Sequence, residues 1–272
     1  MDTLERKEMK LSEDLGQLPS LIVAYSGGVD SAYLALAAHR ALGQRMVAMT
    51  ALSASYSARD REMAEKCVRQ FQIPHEFIST DEVSNPSYRA NNPDRCFFCK
   101  DELFTKLDQV AATRGFAAVA YGVNLDDRGD WRPGQRAAQQ HKVLTPLLDA
   151  GFTKDDIRQL ARQACLPVWN RPASACLASR IAYGLEVTPE RLAVIERAEE
   201  AIRRLGFEQF RVRHHGNLVR LEIAPDELPR ALNPGIAEKF VQILKPLGFA
   251  HVTLDLEGYR RGSLNVHLPQ KP

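Results

Sequence analysis

The sequence predicts an α/β protein, a parallel sheet with helices on both faces, followed by a small α+β domain. Three observations lead there. Short apolar runs alternate with amphipathic helical stretches from residue 21 to about residue 165. The first of these runs passes through a glycine pair directly into a helical stretch. After Glu186 the rhythm changes to helix, hairpin, helix and strand. The expected domains are therefore 1–185 and 186–272.

Residues 21–25 (LIVAY) form a short continuous apolar run, which suits a strand buried on both faces. SGGVDS follows, and SAYLALAAHRALG reads as a helix. Residues 46–53 (MVAMTALS) give a second strand. Residues 57–72 give a helix, with Met63, Ala64, Cys67, Val68 and Phe71 on one face. Residues 75–79 (HEFIS) are a third strand. The polar stretch 81–95, rich in Asn, Pro and Ser, is long enough to be a functional loop. Residues 100–114 are helical, with Leu103, Leu107, Val110 and Ala111 as the apolar stripe, and 117–123 are a fourth strand. Such alternation implies right-handed βαβ crossovers.

Residues 124–134 (NLDDRGDWRPG) are too polar and turn-rich to be a core element. A helix over 153–165 has Thr153 as its N-cap, with Ile157, Leu160, Ala161 and Ala164 facing inward. The Thr-Pro start of 188–206 suits an N-cap followed by the first helical position. Residues 209–214 and 218–223 alternate around a His-Gly-Asn turn and read as a hairpin. A helix over 236–247 and a strand over 251–256 complete the second domain.

The 272 residues are 44% hydrophobic and 26% charged, the composition of an ordinary globular protein with a sizeable core. A net charge of +2 is too small a basic balance for nucleic-acid binding, so no nucleic-acid partner is expected. The N-terminal stretch is charged and lacks the apolar region of a signal peptide. There is also no apolar run long enough for a membrane span. A cytoplasmic location is expected.

SGGVDS lies between a buried strand and a helix, and that context gives it chemical meaning. Gly27 and Gly28 let the backbone turn sharply and present its N–H groups, and the helix that follows points its positive end at the loop. Ser26 and Ser31 add hydroxyl donors, while Asp30 suits Mg2+ bridging phosphate oxygens. A Gly-Gly pair alone would suit a plain βα turn, and there is no Walker A pattern.

SGGVDS resembles the signature of the PP-loop superfamily of N-type ATP pyrophosphatases, whose fold is that of the adenine nucleotide alpha hydrolases. The resemblance implies that ATP is cleaved between its α- and β-phosphates and that AMP passes to a substrate oxygen. Three further segments narrow it: NPSYRANNPDRCFFCK, YGVNLDDRGDWRPGQRA and NRPASACLASRIAYG. With the loop, and in this order, they resemble the LarE family from about residue 20 to at least 225. Members are ATP-dependent sulfur transferases that make thiocarboxylates on a pyridinium dicarboxylate mononucleotide, for nickel-pincer cofactor biosynthesis. The resemblance implies a small mononucleotide substrate, ATP and Mg2+, and the other enzymes of that pathway as partners. A homo-oligomer is also expected.

The resemblance places Cys176 at the sulfur-donor position. A donor must be a thiolate, favoured by nearby cations. Arg171 and Arg180 are close in sequence, and Ser179 can donate a hydrogen bond. Cys96 and Cys99 form a C-x-x-C placed just before a helix, open to zinc, redox or no role. Cys67 and Cys165 suit core positions. Cys96, Cys99 and Cys176 together can hold a 4Fe–4S cluster with one iron left open, as some relatives are thought to do. The extra C-x-x-C favours that cluster version over a sacrificial Cys176.

Asn124, Asp126, Asp127 and Asp130 follow a strand's C-terminal end, where open parallel sheets bind ligands. Asn124 and Asp127 are the better candidates for the ATP site. Arg211 and Arg213 alternate along one strand and share a face, so both can grip a phosphate. The resemblance supports them as ligands of the substrate phosphate, with Arg180 as a third. His214 and His215 suit surface or turn roles. Two rival readings are another PP-loop adenylating enzyme, for tRNA thiolation or amide formation, and a nucleotide-binding module without turnover.

Overall fold

Leu21–Ala24 (β1), Met46–Leu52 (β2), His75–Ser79 (β3) and Ala118–Tyr121 (β4) form a four-stranded parallel sheet in the order β3-β2-β1-β4. This computed structural model describes residues 3–128, 133–172, 175–260 and 262–265. Leu21 lies beside Met46 on one side and Ala118 on the other, and Ala48 beside His75. Successive β1 residues serve opposite faces. Leu21 and Val23 join one buried cluster, Ile22 and Ala24 another. The first cluster takes in the helices Val29–Leu42, Ala58–Gln70 and Lys154–Gln163, and the second takes in Phe104, Leu107, Ala137 and Ala138. Helices therefore cover both faces, as an all-parallel sheet requires.

The expected caps at Thr153 and Thr188 form, and Ser57 adds a third. Ser57, Thr153 and Thr188 each accept a backbone N–H in the first turn of their helices, and Thr153 shares a reciprocal capping box with Asp156. The sequence reading assigns nothing to the helix Thr3–Gly16, whose buried Leu11 and Leu15 join the first cluster. Lys7 holds Asp156 at 2.6 Å, and Glu8 accepts the Tyr33 hydroxyl at 2.8 Å. A second correction concerns Arg95–Arg114, which starts before the expected residue 100. Cys96 and Cys99 lie in its first turns and not ahead of it.

The chain divides into two packing units, Met1–Glu82 with Cys96–Ser174, and Val83–Arg95 with Ala175–Pro272. The parallel sheet belongs to the first. The second is built on Phe210–His215 (β5), Leu218–Ile223 (β6) and His251–Leu254 (β7), in the order β5-β6-β7. β5 and β6 are the expected hairpin, and β7 joins β6 in parallel. Val212, Val219, Leu221 and Ile223 pack with Ala198 and Ile202 of the helix Pro189–Arg204 and with Phe240 and Leu244 of Pro234–Leu244. The stretch 83–95 is fastened to this unit by fully buried Asn91. Its amide donates to the carbonyls of Ile181 (3.3 Å), Ala182 (2.9 Å) and Leu185 (2.9 Å).

His141 lies between two carboxylates of Arg95–Arg114, with Nδ1 2.6 Å from Asp108 and Nε2 3.2 Å from Asp101. Burial lowers its pKa, but the hydrogen bonds to Asp108 and then Asp101 outweigh it and leave the pKa raised. The clamp therefore stabilises fully below the unfolded pKa of about 6.5 and is lost as pH rises through the raised folded value. The carboxylates are 44% exposed, so the effect is expected to be small, on the order of 0.5 kcal/mol. His141→Gln should lower the unfolding midpoint in urea more at pH 6 than at pH 9. An equal loss at both would remove the charge from the account.

Candidate functional site

The glycine loop leaves β1 through Tyr25 and closes on itself. The Ser26 and Ser31 hydroxyls are 3.1 Å apart, Ser31 Oγ donates to the Gly28 carbonyl (3.0 Å), and the Ser26 N–H donates to Ser31 Oγ (3.2 Å). The helix Val29–Leu42 starts from Gly28, whose position brings no side-chain cap to the positive end of the helix. Gly27 has φ +75, and a Cβ there would stand 2.9 Å from Ala64 Cβ. Both facts require glycine. The Tyr56 hydroxyl holds the Ser26 carbonyl at 3.2 Å.

Gly122, which follows β4, was not singled out from sequence. A Cβ there would stand 2.7 Å from Ser31 N and 2.9 Å from Asp30 C, both backbone atoms. Gly122→Ala must push the strand end or the loop aside, at a cost of about 1–3 kcal/mol. It is expected to weaken binding of a fluorescent ATP analogue about five- to 150-fold, as that cost implies when it falls on the loop. Wild-type affinity in the variant would show that the close approach does not shape the loop.

Asp30 is the polar centre of this region. Asn124 Nδ2 donates to its Oδ1 (3.2 Å), and Lys154 Nζ pairs with its Oδ2 (2.5 Å). Asn124 and Asp127 are both buried and form a reciprocal cap around Leu125–Asp127. The Asn124 N–H donates to Asp127 Oδ2 (3.1 Å) and the Asn124 side-chain carbonyl oxygen accepts from the Asp126 N–H (3.0 Å). Asp126 in turn accepts the Lys154 N–H at 2.6 Å. The structure thus brings Ser26, Gly27, Gly28, Asp30, Ser31, Asn124 and Asp127 to one end of the sheet and adds Lys154, which the sequence reading missed. Its partner is 124 positions away, beyond any local pattern. A carboxylate flanked by an amide and an ammonium is an oxygen donor of the kind that a hard cation takes. Asp130 lies outside the described residues.

In the second unit, Cys176 is half-buried and precedes the short turn Leu177–Arg180. Its carbonyl accepts from the Ser179 N–H (2.9 Å), Ser179 Oγ (2.7 Å) and Arg180 Nη1 (3.1 Å). Ser179 thus donates to this backbone carbonyl. Arg180 also donates to the Ala175 carbonyl (2.5 Å) and pairs with Glu199 (2.9 Å), so it organises the backbone of the cysteine loop. Arg213 donates to the Ser179 carbonyl (3.0 Å) and pairs with fully buried Glu222 (2.7 Å). Arg211, on the same strand face, lies 4.9 Å over the Tyr259 ring. Burial, then the nearby Arg180 charge, lowers its pKa. Arg180 and Arg213 thus hold the backbone of the stretch that carries the thiol, and the Arg211 charge lies near that of Arg180.

Two sequence assignments change. Arg171 belongs to the first unit and pairs there with Asp60. Cys165 is exposed at φ +58, just after a helix, and is not a core residue. His214 keeps the expected turn role, with Nδ1 accepting from the Gly216 N–H (3.1 Å), and it is buried with its ring 5.2 Å from Phe249. Cys67 is fully buried, and burial raises its thiol pKa, the mark of an inert cysteine. Cys96 is exposed and Cys99 half-buried. Three residues apart on a helix, they share a face. Among the described residues, no group of three or more His, Cys, Asp or Glu gathers as a metal site. Among the described residues, no helix is long and apolar enough to cross a membrane.

No protein-family model matches the chain. It is 42% identical over 262 residues to an uncharacterised protein of Synechocystis sp., covering 96% of this chain and 98% of that one. It is 32% identical over 266 residues to the pyridinium-3,5-bisthiocarboxylic acid mononucleotide synthase of Lactiplantibacillus plantarum, covering 97% and 96%. Over 230 residues it is 27% identical to one of the polypeptides of the glutamine-hydrolysing GMP synthase of Pyrococcus furiosus, covering 75% and 70%.

Proposed function

The chain belongs to the LarE family of PP-loop enzymes, the pyridinium-3,5-bisthiocarboxylic acid mononucleotide synthases, and on that premise we propose a reaction and a source of sulfur for it. It is an ATP-dependent sulfurtransferase acting on a mononucleotide carboxylate. The observation that carries this is the synthase match over nearly the whole of both chains.

A substrate carboxylate oxygen attacks the α-phosphorus of ATP held by Ser26, Gly27, Gly28 and Ser31, and pyrophosphate leaves. The uncapped helix end and the loop N–H groups stabilise the charge that develops on the phosphates. Asp30 would hold Mg2+, which would supply positive charge to the phosphate oxygens. The Cys176 thiolate then attacks the acyl carbon, AMP leaves and a thioester forms. Removal of the Cys176 Cα proton breaks the Cβ–S bond. The sulfur departs with the electron pair as thiocarboxylate, and dehydroalanine remains in the chain. The Arg180, Arg211 and Arg213 group takes the substrate phosphate, with residues 186–272 as the substrate-binding domain and 1–185 as the adenylating one. A homo-oligomer and contact with the other cofactor enzymes belong to the same proposal.

The C-x-x-C pair on one helical face supports a second source, a 4Fe–4S cluster on Cys96, Cys99 and Cys176. One experiment separates the two. The protein, purified without oxygen, is given ATP, Mg2+ and the pyridinium dicarboxylate mononucleotide. Pyrophosphate, thiocarboxylate, iron, sulfide and intact protein mass are then measured. An iron-free protein that makes one equivalent of product and loses the mass of hydrogen sulfide at Cys176 supports the sacrificial route. Many turnovers by an iron-loaded protein with Cys176 intact would support the cluster. Pyrophosphate release only with ammonia or tRNA would point to another PP-loop adenylating enzyme.

A further inference from the structure

We propose that Lys154 is a movable counter-charge of the nucleotide site. It neutralises Asp30 before ATP arrives and passes to the polyphosphate when Mg2+ takes the Asp30 carboxylate. This deepens the reading above and rests on residues 26–31 being the ATP loop.

Both Asp30 oxygens are engaged, Oδ1 by Asn124 (3.2 Å) and Oδ2 by Lys154 (2.5 Å). A cation can reach Asp30 through Oδ2 only when the ammonium leaves it. The two side chains are 20% and 26% exposed, so an incoming ligand can reach the pair. The Lys154 backbone is pinned, because its N–H donates to Asp126 and the preceding Thr153 is locked in its capping box. Only the flexible four-carbon stem can move, and its tip stays within a side-chain length of the loop. Asp30 and Asp126 are the carboxylates that hold this residue. A bare Asp30 would repel a triphosphate, whereas the serine hydroxyls and backbone N–H groups of the loop bring no full positive charge. The swap meets both needs. Mg2+ replaces the ammonium on a hard oxygen donor, and the ammonium becomes a point charge for phosphate.

The test is calorimetric binding of an ATP analogue with a methylene bridge between the α- and β-phosphorus, with Mg2+ and in EDTA. The proteins are the full chain, Asp30→Asn, Lys154→Met and the double variant. Asp30→Asn frees the ammonium, so it is expected to bind the metal-free analogue about fivefold or more tighter than wild type, and Lys154→Met on top should abolish that gain. Lys154→Met alone should weaken Mg2+-analogue binding about tenfold, as loss of one charge-assisted contact does. A gain in binding cannot come from misfolding. If the double variant binds the metal-free analogue as tightly as Asp30→Asn, Lys154 is a structural partner and the proposal fails. If the wild-type chain binds the analogue in neither condition, the ATP reading itself falls instead.

Discussion

Cys176→Ser is expected to reduce thiocarboxylate formation to background, a loss of at least about a thousandfold, while substrate-dependent pyrophosphate release continues. Serine keeps the size of the side chain and the carbonyl contacts with Ser179 and Arg180, which on the Cys176 side involve backbone alone. What it removes is the sulfur. A hydroxyl that attacked the adenylate would give an ester, and nothing further could leave as thiocarboxylate. Chromatography of the nucleotide products with a coupled pyrophosphate assay checks both halves. Sulfur transfer at the wild-type rate by the serine variant would refute Cys176 as donor and as cluster ligand together. Loss of pyrophosphate release as well would place the residue in the adenylating step.

Glu222→Gln should destabilise the second unit by about 3–5 kcal/mol, the usual result of stripping one partner from a buried ion pair. Glu222 is fully buried and accepts from Arg213 (2.9 and 2.7 Å), Arg220 (3.0 Å) and Ser263 (2.7 Å). Burial pushes its pKa up, but the Arg213 hydrogen bonds override that and leave it below the ordinary glutamate value. A depressed folded pKa contributes stability above the unfolded value of about 4.3 that is lost as pH falls through the folded one. The wild-type chain should therefore lose stability on acidification below pH 5, and the variant should lose less of it. Urea unfolding followed by fluorescence at pH 7 and pH 4 measures both. A change under about 1 kcal/mol at pH 7 would mean that water satisfies the two arginines.

Local chemistry was legible and long-range chemistry was not. The apolar runs show the strands of the parallel sheet most plainly at β1 and the start of β2, which are buried on both faces, and Ser57, Thr153 and Thr188 mark their helix starts by side-chain chemistry alone. SGGVDS is readable because its glycines, serines and aspartate meet one local need. Gly122 and Lys154 are not, since each acts on residues about a hundred positions away and neither carries a local signature. Gly122 does not even have a positive φ. The helix Thr3–Gly16 leaves little signal in the sequence because its few apolar residues sit among charges, and only packing on Val29–Leu42 shows its use. Arg211 and Arg213 share a face, as period two requires. Glu222 lies directly opposite Arg211 yet pairs with the diagonal neighbour Arg213, a choice that strand spacing leaves open.

Asn91 sets an order of assembly during synthesis. Its three carbonyl acceptors are 90, 91 and 94 residues further along, so the stretch around it emerges from the ribosome long before they do. One of those acceptors leans on a still later residue, because Ala182 donates its N–H to the His214 carbonyl (3.0 Å). The first helices and strands can settle during translation, while residues 83–95 stay unmatched until the last third of the polypeptide is made. A gene truncated at residue 185 would strand that stretch permanently.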